Sequence, residues 1–258
     1  MLSPAALVEA AAHAGLTTIA ITDHDTVAGL DEARAAADAR GITLVTGIEL
    51  TAVEGGRDVH VLGYFFDAED PALNDFLEAQ RADRVRRVRE MADRLAAAGA
   101  RIDAEPILRL ASRGGSVGRP HVAEALVAAR HVATINEAFD RYLGRGCPAF
   151  VSRIGAPAAQ VVRTIAAAGG ICSLAHPGTT RVDELVPTLA AAGLAALEAT
   201  HPDHDAGAEG KYRAMAAGLG LAVSGGSDFH GEGRHHRSAL GAISLTARDY
   251  QGLLERRA

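Results

Sequence analysis

Cysteine is scarce: Cys147 and Cys172 lie far apart and form no C-x-x-C pair. Two such residues cannot build a disulfide framework, so a reducing compartment is expected, with the cytoplasm as the default location. No apolar run approaches the length of a membrane-spanning helix, and Met1-Leu2-Ser3-Pro4 lacks the basic region of a secretory signal. An excess of positive charge is missing as well. The formal net charge is -6 and the pI about 6.0, which argues against binding long duplex nucleic acid but leaves room for a local basic pocket. Lys211 is the only lysine, and the bias toward arginine is attributed to a GC-rich genome rather than to anion binding.

Hydrophobic residues make up 48% of the 258, ample for one large α/β domain or a domain with a smaller insert. The most telling stretch is Gly225-Gly226-Ser227-Asp228-Phe229-His230-Gly231, where a carboxylate and an imidazole stand two residues apart. The apolar run Leu219-Gly220-Leu221-Ala222-Val223 before it has the length and flanking glycines of a buried strand. Other apolar runs deliver the same chemistry. Thr18-Ile19-Ala20-Ile21 precedes Asp23-His24-Asp25, Ile42-Thr43-Leu44-Val45 leads to Glu49, and Asp58-Val59-His60-Val61-Leu62 carries His60 within it. Ile171-Cys172-Ser173-Leu174 ends at His176, and Leu194-Ala195-Ala196-Leu197 ends at Glu198 with His201 beyond. Any one of these is compatible with a cap or a surface group. Six together on what would be one rim point to a shared ligand chemistry, because polar groups at strand ends need partners.

In chain order, Ser3 and Pro4 open a helix that Gly15 closes, and a second helix over about 28–40 separates two strands as in parallel βα units. Glu54-Gly55-Gly56-Arg57 reads as the tight turn of a hairpin. From Pro71 to Tyr142 only helical periodicity is visible. The expected organisation is therefore a barrel-like domain over 1–66 and 150–258, interrupted by a helical insertion over 67–149. In that insertion, Val85, Val88 and Leu95 mark an apolar stripe, and the surrounding arginines read first as a solvated face. Gly114-Gly115-Ser116-Val117-Gly118-Arg119-Pro120-His121 is a glycine-rich entry to a helix, a place where backbone N–H groups and Arg119 suit an anion. His13, His131, His235 and His236 carry no expected role. Asp23 is expected to orient His24, and Asp25 to cap the following helix.

Taken with Gly47-Ile48-Glu49, His60-Val61-Leu62-Gly63-Tyr64 and Ala175-His176-Pro177, these motifs resemble the PHP family, named for polymerase and histidinol phosphatase. The resemblance spans almost the whole chain and is closest to stand-alone bacterial nucleotide phosphatases and 5′-to-3′ exoribonucleases. It implies a distorted (β/α)7 barrel with an all-helical insertion, and up to three divalent ions, manganese being expected and iron or zinc the alternatives. Carried over position by position, Glu49 bridges, His60 and His176 serve one ion, His24 and His230 another, and Asp228 the third. With no cysteine among them, the ligands are of the imidazole and carboxylate type that suits these metals. Such ions supply hydroxide at neutral pH and neutralise phosphate oxygens.

The same resemblance makes His201 a candidate to protonate the leaving oxygen, with a solvent-facing loop histidine as the alternative. Arg84 and Arg87 join Arg119 as candidates to hold a second phosphate. The family pattern begins with a strand ending in H-x-H that has no counterpart here. A barrel lacking its first strand, fewer ions, and a natural start upstream of Met1 are therefore expected. The expected activity is metal-dependent hydrolysis of phosphate from 3′,5′-bisphosphonucleotides or short oligoribonucleotides. The alternatives are a histidinol-phosphate type monoesterase and a non-catalytic metal-binding domain.

Overall fold

The computed structural model describes residues 2–231 and 239–257. His235 and His236 lie outside the described residues. Two compact units emerge, one formed by Met1–Asn74 with Ala156–Ala258, the other by Asp75–Gly155.

In the first unit Ser3 caps α1 (Pro4–His13) by accepting the Ala6 N–H at Oγ, 3.2 Å, and Pro4 stands where a missing N–H costs nothing. β1 (Thr18–Ile21), α2 (Leu30–Arg40), β2 (Thr43–Glu54) and β3 (Arg57–Tyr64) follow. Gly55 and Gly56 both take positive φ, 55° and 74°, which is what lets β2 turn directly into β3. The helical unit takes in most of α3 (Pro71–Ala97), then α4 (Glu105–Ser112), α5 (Arg119–Ala128) and α6 (Ile135–Ala138), the last running into a π-helical turn over Phe139–Leu143. Back in the first unit come α7 (Ala158–Ala167), β4 (Ile171–Leu174), α8 (Pro177–Thr180), α9 (Val186–Ala191), β5 (Ala196–Thr200), α10 (Ala206–Gly218), β6 (Ala222–Gly225) and α11 (Ala247–Leu254).

The six strands form one sheet in sequence order. β1 pairs parallel with β2, the β2–β3 and β3–β4 pairs are antiparallel, and β4, β5 and β6 run parallel. In a flat sheet β1 and β6 would stand roughly 24 Å apart, at about 4.8 Å per strand. Yet the rings of His24, just beyond β1, and His230, just beyond β6, have centroids 6.3 Å apart. The sheet therefore curls, and its two edges bring their loops together.

Two strands differ from expectation. β2 does not end near Gly47 but runs on to Glu54, so Glu49 is a mid-strand residue. Gly47 is there for closeness rather than for a turn: a Cβ on it would lie 2.6 Å from the Ile21 carbonyl oxygen. The run from Leu219 is only half strand. Leu219 is the C-cap of α10, its N–H bonded to Met215 O and Ala216 O, Gly220 reverses the chain at φ 66°, and β6 begins at Ala222.

The helical unit has its own core, in which Val88, Met91 and Leu95 of α3 cluster with Leu126 of α5 and Leu143. No strand occurs between residues 71 and 142, all of them described. Among the described residues no helix is long and apolar enough to cross a membrane.

Candidate metal centre

Glu49 is the hub. Its side chain points from the middle of β2, and in the antiparallel register Glu49 faces Leu62 while Thr51 faces His60, which makes His60 its diagonal neighbour. His60 Nδ1 lies 2.7 Å from Glu49 Oε1. His24 arrives from the β1 end, where a parallel bridge pairs it with Glu49, and its Nδ1 lies 3.5 Å from Oε2. His176 arrives from the β4 end with Nε2 3.3 Å from Oε1 and 3.3 Å from His60 Nδ1. One ligand atom each from His24, Glu49 and His60 lies within 4.8 Å of the others.

A carboxylate only 4% exposed would ordinarily resist ionisation. Burial does push Glu49 toward the neutral form, but the charges of His24 and His60 and hydrogen bonds from His176 and His60 outweigh it, holding the pKa well below the usual range. Burial lowers the pKa of His176 too, and the hydrogen bond and charge of Glu49, with Glu198 and Asp228, reverse this and raise it to about 9. Three imidazole nitrogens converging on one buried carboxylate form a hard-to-borderline N and O donor set. That set fits a divalent cation such as manganese, iron or zinc.

Asp228 and His230 form the other flank. His230 Nδ1 lies 2.7 Å from the Asp228 carbonyl oxygen and 3.4 Å from its Oδ1. Ring centroids of His230, His24, His60, His176, His201 and His204 follow one another at 6.3, 5.0, 5.2, 5.4 and 5.4 Å, an unbroken file of six imidazoles. All six expected ligands, His24, Glu49, His60, His176, Asp228 and His230, thus sit in the curled-sheet unit.

Several expectations need correction. His201 is no solvent-facing loop residue: it is 4% exposed, and its Nδ1 accepts the Asp203 N–H at 3.1 Å. Asp25 does not cap α2, whose N-cap is Gly29; buried at φ 52°, it accepts the Thr51 N–H at Oδ1, 2.9 Å, and so ties the His24 loop to β2. At Asp23, where the expected role is untouched, burial raises the pKa against the opposing charge of His230. Glu198, on the expected rim but given no role, sits inside β5 and accepts the His176 N–H at 2.7 Å, with its pKa raised by burial to about 7. A buried glutamate inside an apolar strand was the signal for it. His13 bonds to the Glu9 carbonyl of its own helix, and His131 to the Arg101 carbonyl, distant in sequence.

Within the helical unit the solvated arginine face holds only in part. Arg84 and Arg87 are 7% and 3% exposed. Arg84 donates to Val117 O at 3.0 Å, and Arg87 donates to Val151 O from Nε and Nη2, each at 3.2 Å. Arg119 lies 5.9 Å from the ring centres of both Phe139 and Phe150.

A buried carboxylate ringed by histidines at the edges of a curled mixed sheet defines a metal-binding α/β protein. The PHP domain family model matches residues 1–142, and the chain belongs to that family. It is 34% identical over 241 residues to the 3′,5′-nucleoside bisphosphate phosphatase of Chromobacterium violaceum, covering 92% of this chain and 85% of that relative. It is 41% identical over 177 residues to the 5′-3′ exoribonuclease of Haemophilus influenzae, covering 69% of this chain but 64% of that protein. A Bifidobacterium adolescentis structure described as a metal-dependent phosphoesterase is 32% identical and superposes with a TM-score of 0.89, over 100% of this chain and 92% of that one.

Proposed function

We propose that the protein is a metal-dependent phosphoesterase that removes phosphate from small nucleotides, 3′,5′-bisphosphonucleotides first and short oligoribonucleotides second. The observation that carries this is the convergence of His24, His60 and His176 on buried Glu49. In this proposal Glu49, His24, His60, His176, Asp228 and His230 hold divalent ions, manganese being the expected metal, on a distorted (β/α)7 barrel. Ions held there would supply Lewis-acid charge to the phosphate and an activated water at neutral pH, so that no side chain need act as nucleophile. Glu198 fixes the backbone of His176, and Asp25 that of the His24 loop. Arg84, Arg87 and Arg119 stay in the proposal as anion-binding groups of the helical unit, and a reducing cytoplasm as the location.

A substrate panel tests it. With manganese added, kcat/KM is measured for a bisphosphonucleotide, a short oligoribonucleotide, histidinol phosphate and an aryl phosphate. The nucleotides should be preferred. Preference for histidinol phosphate, or no turnover of any of the four by metal-loaded protein, would refute the proposal.

A further inference from the structure

The turn that leaves β5, Thr200-His201-Pro202-Asp203-His204, touches both neighbouring ligand loops. β5 lies between β4 and β6, and those strands lead to His176 and Asp228. Both residues hold backbone that is disfavoured without glycine, with φ 26° at His176 and 45° at Asp228. Such conformations persist only where the surroundings enforce them.

Contacts from this turn reach both loops. His204 Nε2 accepts the Gly178 N–H at 3.1 Å while its Nδ1 donates to Ala199 O at 2.8 Å. A Cβ on Gly178 would lie 2.7 Å from the His204 ring, so only glycine allows this approach. Toward β6, His201 Nδ1 accepts from the Asp203 N–H, which leaves the ring hydrogen on Nε2, and Nε2 lies 3.4 Å from Asp228 Oδ2, a close polar approach whose geometry falls short of a hydrogen bond. Thr200 O accepts the Gly226 N–H at 3.0 Å and anchors the same loop. Backbone partners thus fix the two rings in opposite tautomers, with the proton on Nδ1 in His204 and on Nε2 in His201.

On the basis of the metal-dependent function above, we propose that Thr200–His204 is a brace that aims two metal ligands. His204 holds the Gly178 amide and with it the His176 loop; His201 orients the Asp228 carboxylate. Both are positioning residues, and His201 takes this role in place of leaving-group acid. Partners of this kind around a metal typically carry about 10–100-fold in affinity.

The test uses the full chain stripped by a chelator. Ring ¹⁵N NMR should report Nδ1–H for His204 and Nε2–H for His201 before any metal is added. Titration with Mn²⁺, and with Zn²⁺ as a second probe, should show His201→Phe and His204→Ala weakening binding by about 10–100-fold. His201→Gln and His204→Gln, whose amides offer both a donor and an acceptor, should recover most of the loss. Reversed tautomers, unchanged affinity in the truncated variants, or a loss that glutamine fails to restore would each overturn the brace. Should a truncation fail to fold, the wild-type tautomers and the glutamine variants decide. A wild type that takes up neither metal overturns the underlying metal-centre function instead.

Discussion

Glu49 keeps its negative charge where water scarcely reaches because imidazoles surround it. Glu49→Gln removes the charge at almost constant volume. Metal affinity should fall by about a hundredfold or more, since even outer partners of a metal ligand are worth about 10–100-fold. Calorimetric titration of stripped wild type and variant checks this. The same carboxylate sets a pH dependence in the stripped protein. With its folded pKa depressed, Glu49 contributes stability that is present above about 4.5, its ordinary value, and lost as pH falls through the folded value. His176, raised to about 9 from 6.5, contributes stability that is fully present below 6.5 and lost as pH rises through 9. Melting curves of stripped protein should therefore show a contribution greatest between these limits, and Glu49→Gln should flatten both flanks. Arg119→Ala belongs to the same scale. One charge-assisted phosphate contact is worth about 1.5–3 kcal/mol, so KM for a bisphosphonucleotide should rise about tenfold to a hundredfold and that for an aryl phosphate far less. Equal effects on both substrates would remove Arg119 from the second-anion role.

Among the elements, β2 decides the geometry, since it carries Glu49 and receives β1 on one side and β3 on the other. Gly47→Ala would place a methyl 2.6 Å from Ile21 O and 3.0 Å from the Thr22 methyl, and backbone must yield. The expected cost is about 1–3 kcal/mol, read as a fall in melting temperature of about 2–4 °C per kcal/mol for a chain of this size. Because the displaced segment leads directly to His24, metal affinity should fall with it. Element boundaries were legible wherever local chemistry sets them: Ser3 with Pro4 at the start of α1, and Gly55-Gly56 between β2 and β3. They were misread where tertiary contact decides. Nothing local distinguishes the Gly47 that admits a neighbouring carbonyl from one that ends a strand, and Leu219 looks like strand although the helix before it still claims its N–H.

At the scale of the whole molecule, the residues proposed as ligands come from segments as distant as His24 and His230, and the curl of the sheet brings their rings together. That these residues would gather was legible because histidine and carboxylate recur after apolar runs. Their supporting contacts were not: Glu198, Asp25 and His204 accept from the backbone amides of His176, Thr51 and Gly178, partners remote in sequence that no spacing rule reveals. Likewise, buried Arg84 and Arg87 could not be told from a solvated face, since a helix bearing many arginines reads the same until its neighbours are known. If the proposed function holds, this cluster turns over phosphate esters only with divalent metal in place. Its most direct test is phosphate release from a 3′,5′-bisphosphonucleotide by chelator-stripped protein, before and after Mn²⁺ is restored, with bound metal counted per chain. Stripped protein should be inactive, and activity should return in proportion to metal bound, in wild type but not in Asp228→Asn. Full turnover by protein that holds no metal would contradict a metal-dependent reaction.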